Sequence, residues 1–508
     1  MHKDYGVSWD ESIDRENGIV NAKYILAQVA PRWTGQQAIF AHVPEFATLE
    51  ERDHGVLFHL PLAFMEVFWP GIDSRTYYLV RHFCIFLTFV LGLWSVYKLA
   101  LVRFGSWQLG LLASTLLLLS PRFFADAFSN GKDLVFLGFF TFGVYTLVSL
   151  LQRPTLTRAT LHGLATAMAT DVRILGSLLV ALSLGMFLLE AFFGPPENAR
   201  RVQLVKTLGW YVVVAAVLTV AGWPFLWEGP LDNFILAFNN MKHFRVDGYV
   251  LYLGEKVQTT HLPWHYAPLW ILITTPIAYS VAFLIGISTY MYTLGRRLIP
   301  TLRTAGGRID LLLSAWFFIP LFMVIVLGSV IYDGWRHLYF IYPAFLLLAV
   351  RGAYGIWQLS RQYFLVKRLA LLAAVLAVAE AGYTLARMIQ AHPNQQVYYS
   401  FLSSREAEQL FEGDYWGLSY RKGLEWILAN NPAAQITVDA PFPILLENNL
   451  AVLKPADRAR FKIAPPNPEG YFLTAYRTHP EPYPTSVGNE VYAVRVNGIR
   501  ILSVFYRW

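Results

Sequence analysis

Four short polar clusters interrupt an otherwise apolar chain: Trp9-Asp10-Glu11, Asn130-Gly131-Lys132-Asp133, Asp171-Val172-Arg173 and Asp333-Gly334-Trp335-Arg336-His337. A carboxylate can take a proton from an attacking hydroxyl, and arginine or histidine can hold an anionic group as it departs. All four clusters border stretches long enough to enter a bilayer, where charge is costly and is rarely left without a partner or a task. Acids and bases collected at one mouth of a helical bundle point to an enzyme or carrier for a charged, membrane-delivered substrate.

Each cluster also has a plainer reading. Ser8 and Glu11 stand three apart, the spacing of a capping box, which accounts for Glu11. Asp10 then falls in the first turn with its carboxylate free, where an acid also favours the helix dipole. Asp133 opens a span and fits an N-cap. Lys132 beside it runs against the bias that keeps bases off the outer side. Arg173 is solitary between two apolar segments, with Asp171 near enough to neutralise it. Arg336 and His337 fall in a very short loop, where Trp335 and Tyr339 would equally anchor an interface. His261 and His265 are four apart, but Pro263 between them spoils a helical zinc pair. No Gly-rich phosphate loop and no Gly-x-Ser-x-Gly elbow supports nucleotide hydrolysis or serine hydrolase chemistry.

The elements that must position these residues are spans. Hydrophobic residues make up 55% of the 508 and charged residues 15%, a balance a soluble surface could hardly accommodate. A bilayer core needs about 20 helical residues. Full spans are expected near 79–101, 133–151, 174–193, 206–224, 268–291, 311–330, 338–357 and 367–387, with shorter runs near 107–120 and 159–170. Basic residues fall in one set of loops: Lys98 and Arg103, Arg153 and Arg158, Arg200 to Lys206, Arg296 to Arg308, and Arg351 to Arg368. Acids fall in the alternate set: Asp10, Glu11, Asp126, Asp133, Asp171, Glu228, Asp232, Asp247 and Asp333. The alternation holds only if both short runs cross, giving about ten spans, and the positive-inside rule then makes the basic set cytoplasmic. The net charge of +7 is thereby explained by topology, with no nucleic acid implied. Cys84 is the single cysteine, so no intrachain disulfide forms. The polar opening reads as lacking a cleavable signal peptide.

Three outward segments are long: 1–78, 225–267 and the tail from about 388. Residues 1–78 should carry a helix from Ser8, with breaks at Pro44 and Pro61. Pro224 to Trp227, with apolar residues at 231, 234, 235 and 238, reads as an amphipathic interfacial helix. The expected architecture is therefore an all-α polytopic bundle over 79–387, followed by a small α/β domain over 388–508. In that tail a helix is expected near 418–430 and a strand at Ile436 to Val438, and prolines cluster at Pro465 to Pro468. Asn497-Gly498 between Val491–Val496 and Ile499–Tyr506 is a strong hairpin signal.

The ordered set of motifs resembles the GT-C superfamily of membrane glycosyltransferases. It is most similar to the family 39 branch of protein O-mannosyltransferases and lipid A aminoarabinose transferases. Trp9-Asp10-Glu11 matches that branch's first-loop acid pair. Ser120-Pro121-Arg122-Phe123-Phe124 running to Asp133-Leu134-Val135-Phe136 matches its second acid. Gly163 to Gly176, which includes Arg173, and Asp333 to Pro343, which includes Arg336, resemble its basic segments. The resemblance covers roughly residues 6–390, with one departure: in the family a span precedes the acid pair, and here the chain begins almost at it. It implies a polyprenyl-phosphate sugar as donor and a glycan, lipid or protein hydroxyl as acceptor. It places the active site on the periplasmic face of a bacterial inner membrane. Asp10, Glu11 and Asp133 would be catalytic, with Asp10 the base. Lys132, Arg173, Arg336 and His337 would bind substrate, and a divalent cation is a further candidate ligand of Asp133. The rival readings are a lipid-linked-sugar transporter or flippase, and a non-catalytic membrane assembly subunit. Against a transporter, no internal repeat is evident and the charges lie at one mouth, away from the midplane.

Overall fold

Apolar length builds the bundle, because a backbone in lipid must satisfy its own hydrogen bonds. The structure, a computed structural model, describes residues 1–242, 248–464 and 469–508; Asp247 and Pro465 to Pro468 lie outside the described residues. Ahead of the bundle, α1 (Trp9–Val29) and α2 (His59–Phe68) pack together. Among the described residues eight helices are long and apolar enough to cross a membrane. They are α3 (Ser74–Phe104), α6 (Asp133–Gln152), α8 (Ile174–Phe193, opened by a 3₁₀ turn), α9 (Asn198–Gly222), α11 (Ile277–Arg296), α12 (Ala305–Val326), α13 (Arg336–Ser360, also opened by a 3₁₀ turn) and α14 (Phe364–Ala391). Seven of them answer to expected full spans, the first starting earlier because Asp73 accepts the Thr76 N–H at 3.0 Å and caps the helix there. The span expected at 268–291 instead breaks at Thr275-Pro276 into a short helix, Tyr266–Thr274, and α11, because proline cannot continue the helix before it.

The two short runs take other forms. The first is a broken pair, α4 (Trp107–Leu118) and α5 (Pro121–Ser129), bent by 69° where Pro121 restarts the helix. Counting it as one span makes nine. The second lies in α7 (Leu156–Thr170), whose 15 residues rise only about 22 Å, short of a full span. Contacts still trace α7 antiparallel along α6. Arg158 donates to the Ser149 carbonyl at 2.5 Å, Thr146 Oγ1 meets His162 Nδ1 at 3.0 Å, and Arg173, just past α7, reaches Asp133 at the start of α6. Among the described residues, eight full helices and the bent pair therefore give up to nine of the ten traverses expected, and α7 is too short to be the tenth.

Close helix approach depends on small residues. A Cβ on Gly286 of α11 would meet the Leu348 carbonyl oxygen at 2.0 Å, and one on Gly352 of α13 would meet that of Ala282 at 2.0 Å. After α9, a 3₁₀ turn at Pro224–Leu226 leads into α10 (Pro230–Lys242), where Leu231, Ile235 and Phe238 are exposed, as an interfacial helix requires.

The tail carries a five-stranded mixed sheet. Ile436–Asp439 lies parallel to Phe461–Ile463 and to Gly470–Ala475, which pairs antiparallel with Ile499–Arg507, and Asn489–Val496 forms the edge. The hairpin turns at Asn497 (φ 50°) and Gly498 (φ 86°), as the Asn-Gly pair predicts. Tyr420–Asn430 is the expected helix, burying Leu424 and Ile427.

Candidate active site

Asp10 sits in the first turn of α1, and the tail holds that turn in place. Asn449 accepts the Val7 N–H at 3.1 Å and donates to the Val7 carbonyl at 3.2 Å, while Asn448 donates to the Ser8 carbonyl at 2.9 Å. The Ser8 hydroxyl donates to the Ser129 carbonyl at 3.1 Å, tying α1 to the end of α5. Glu11 accepts the Ser8 N–H at 2.8 Å, the cap expected of it.

Asp133 is not the cap of its own helix. Asn130 Oδ1 takes the Asp133 N–H at 2.7 Å and the Lys132 N–H at 3.3 Å. The Asp133 carboxylate is thereby left to side chains: Arg173 pairs with Oδ1, and Arg336 Nη1 lies 3.2 Å from Oδ2. The same Arg336 nitrogen lies 3.3 Å from Asp10 Oδ2. Asp10, Asp133, Arg173 and Arg336 therefore converge. Asp133 and Arg336 are buried, whereas the Asp10 side chain keeps 26% of its exposure and Arg173 keeps 15%. The neutralising partner of Arg173 is thus Asp133 and not Asp171. Asp171 lies buried, its carbonyl accepting the Leu57 N–H at 3.2 Å. His337 stands beside this group, packed on Tyr332, and its Nδ1 and the Arg173 Nε have no partner among the described residues.

Glu11 and Lys132 join a second, adjoining cluster. Glu11 is buried between Arg81 Nε at 3.2 Å and His82 Nε2 at 3.1 Å. Lys132 Nζ lies 3.0 Å from Asp14 and 3.3 Å from Glu51, and Arg81 reaches Asp14 at 2.6 Å. Asp14, Glu51 and Arg81 had no sequence signal beyond being charges beside apolar runs. Nothing in the local sequence singles out Arg477, Glu412 or Trp416 of the tail either. Arg477 pairs with Asp333 and lies 3.4 Å from Glu412, and the Trp416 ring lies 4.6 Å from the Arg336 guanidinium carbon.

Burial shapes the proton affinities. Asp10 is raised above the ordinary carboxylate range by burial, with Arg336 and Lys132 opposing, which suits a group that must accept a proton. Burial also works against the Lys132 charge, but Asp14, Glu51 and Asp10 together hold it above the usual ammonium range. Burial pushes Glu412 up to about 8 against the pull of Arg477, and raises Asp171 well above a normal carboxyl. Among the described residues no three His, Cys, Asp or Glu side chains group to hold a metal, and Asp133 is already bridged by two arginines. A divalent cation, one of the candidate ligands of Asp133, therefore has no fitted site among the described residues. His265 Nδ1 meets the Tyr252 hydroxyl at 2.6 Å and His261 Nδ1 meets the Thr260 hydroxyl at 2.9 Å, so each has its own partner.

The fold and the charged mouth define a multi-pass helical membrane protein with a small C-terminal α/β domain. Among solved structures it is similar to ArnT from Cupriavidus metallidurans bound to undecaprenyl phosphate, at 12% identity, with 97% of this chain and 93% of that one covered and a TM-score of 0.47. It is similar also to the archaeal oligosaccharyltransferase AglB from Archaeoglobus fulgidus in complex with an inhibitory peptide and a dolichol-phosphate, at 13% identity, 93% and 66% coverage and a TM-score of 0.46. The apo form of the Archaeoglobus enzyme matches at 13% identity, 80% and 56% coverage and a TM-score of 0.45. The chain spans 56% to 66% of the length of those Archaeoglobus chains. No protein-family model matches the chain, and no curated protein does.

Proposed function

We propose that the chain is a GT-C-type glycosyltransferase that moves a sugar from a polyprenyl-phosphate donor to an acceptor hydroxyl. The observation that supports this most is one guanidinium, Arg336, shared between Asp10 and Asp133, beside side-chain nitrogens of Arg173 and His337 that have no partner among the described residues. A partly exposed acid and, beside it, cations with a side-chain nitrogen to spare are what the reaction needs in one place. Asp10, the most exposed of the four converging charges, takes the proton from the acceptor hydroxyl. The hydroxyl oxygen forms the new bond to the anomeric carbon as the bond from that carbon to the phosphate oxygen breaks, with inversion. The bond's electron pair leaves with the phosphate, which Arg173, Arg336 and His337 stabilise. Asp133 holds Arg173 and Arg336 in place. In this reading residues 1–78 and the tail from 388 flank the site on the periplasmic face of a bacterial inner membrane. The basic loops face the cytoplasm.

The test is purified protein incubated with labelled polyprenyl-phosphate sugars and a membrane extract as acceptor source, with the label followed. Wild type should consume the donor, and Asp10→Asn should lower turnover by about 10² to 10⁴ while donor binding persists. Near-normal turnover in folded Asp10→Asn would move the base to Glu11 or Asp133. Donor binding without consumption by wild type would overturn the enzyme reading in favour of a carrier or an assembly subunit.

A further inference from the structure

Arg336 meets both Asp10 and Asp133 through a single nitrogen, Nη1. Where that guanidinium points therefore decides whether the two acids are held together. Its remaining ties are to a third acid and two aromatic rings. Arg336 Nε lies 3.1 Å from Asp333 Oδ2, and the Tyr332 and Trp416 rings lie 4.8 and 4.6 Å from its guanidinium carbon. Asp333 is set in a left-handed conformation, φ 58°, uncommon for a residue with a side chain, and its carboxylate is buried. The second oxygen of Asp333 is taken by Arg477, from the residues just after the third strand of the tail sheet. Arg477 Nε in turn lies 3.4 Å from the buried Glu412. The result is one line of alternating charge, Asp133, Arg336, Asp333 and Arg477, running from the bundle into the tail and ending against the Glu412 carboxyl.

The three acids around Arg336 stand at nearly equal range: 3.1 Å for Asp333, 3.2 Å for Asp133 and 3.3 Å for Asp10. At such separations small changes in charge decide which acid wins. Arg477 takes up part of the Asp333 charge. Without it, Asp333 would act on Arg336 alone and draw the guanidinium off the other two carboxylates.

We infer that Arg477 is a positioning residue: acting through Asp333, it keeps Arg336 between Asp10 and Asp133. The inference rests on the transfer reading above. A reacting group displaced by about 1 Å can cost about 100-fold in rate. Arg477→Gln, tested in the full-length protein, should therefore lower kcat by about 10- to 100-fold, with the KM for the lipid donor changing far less. Arg477→Lys restores the charge and should recover most of the loss. Because Arg477 acts through Asp333, the double variant Asp333→Asn/Arg477→Gln should be no slower than Asp333→Asn alone. Unchanged kcat in Arg477→Gln, failure of lysine to rescue in a protein of unaltered Tm, or additive losses in the double variant would each overturn the inference. If wild type transfers no sugar, the transfer reading fails by itself. Binding of undecaprenyl phosphate without sugar then decides the Arg477 inference. Arg477→Gln should weaken it modestly, far less than Arg336→Ala does; no weakening at all, or a loss as large as that of Arg336→Ala, would refute it.

Discussion

Both ends of the bundle hang a carboxylate between arginines, with different geometry. At the basic end Asp310 takes Arg103 through two nitrogens at 2.5 and 2.6 Å and Arg351 at 2.8 Å, and Arg351 Nη1 also donates to the Gly286 carbonyl at 2.6 Å. Glu190 is closed in the same way by Arg200 at 2.6 Å and Arg308 at 2.8 Å. These pairs join α3 to α12 and α13, and α8 to α9 and α12. Short, bidentate pairing is the strong form of an ion pair and leaves little capacity for anything else. At the mouth, two acids share one arginine nitrogen at 3.2 and 3.3 Å, and side-chain nitrogens of Arg173 and His337 have no partner among the described residues. The same residue types make a closed staple in one place and a more loosely paired cluster in the other. Geometry separates the two roles, and composition does not.

The largest effect that would test this contrast falls on the basic end. Asp310→Asn removes the charge that holds Arg103 and Arg351, and breaking a buried pair in this way costs about 3 to 5 kcal/mol. A matching drop in unfolding free energy in detergent is expected, with kcat of the folded fraction unchanged. Loss of kcat at wild-type stability would mean that both ends take part in the reaction.

A smaller effect is expected from the cation at the mouth. Arg336→Ala should weaken binding of the lipid donor by about 10- to 100-fold and acceptor binding less, since hydrogen bonds to charged groups contribute about 1.5 to 3 kcal/mol. Arg336→Lys should recover only part, because an ammonium cannot grip phosphate through two parallel bonds. Titration with a labelled donor reads this directly. Intact binding in both variants would make Arg336 a structural clamp like Arg103.

The smallest effect is on pH. Burial raises Asp10, and a base works when ionised, so kcat/KM should climb as pH rises through a value above the ordinary carboxylate one of about 4. The stability sign is opposite. The folded state holds that proton more tightly than the unfolded state does, so Asp10's contribution to stability falls as pH rises across the window from about 4 to its raised value. Asp310→Asn should leave the acid limb of the rate profile in place. A limb at or below pH 4 in wild type would remove Asp10 as the base.

Much of the fold could be read locally. Seven of the eight long apolar runs became single long helices, the eighth breaking at Pro276, and Asn497-Gly498 became the hairpin turn, because each depends on neighbours only a few residues away. Four of the seven residues singled out for chemistry, Asp10, Asp133, Arg173 and Arg336, converge. His337 stands next to them, and Glu11 and Lys132 belong to the adjoining network. Partners were harder to read: Arg173 takes Asp133 in place of Asp171, and Asn130 caps the helix that Asp133 was expected to cap.

What this sequence determined by itself was which segments are apolar enough to span, which loops carry charge, and that charges beside spans need partners. Hydrophobic length, periodicity and turn chemistry are short-range, so they are written in the order of residues. Only the tertiary structure decided who pairs with whom. Arg81 finds Asp14 across 67 positions, Arg477 finds Asp333 across 144, and Arg336 finds Asp10 across 326. An ion pair depends on distance in space and on the solvent excluded around it, and neither is encoded in sequence spacing. The tail shows this most plainly: Trp416 and Arg477 become part of the mouth only once the bundle brings Tyr332 to Arg336 beneath them.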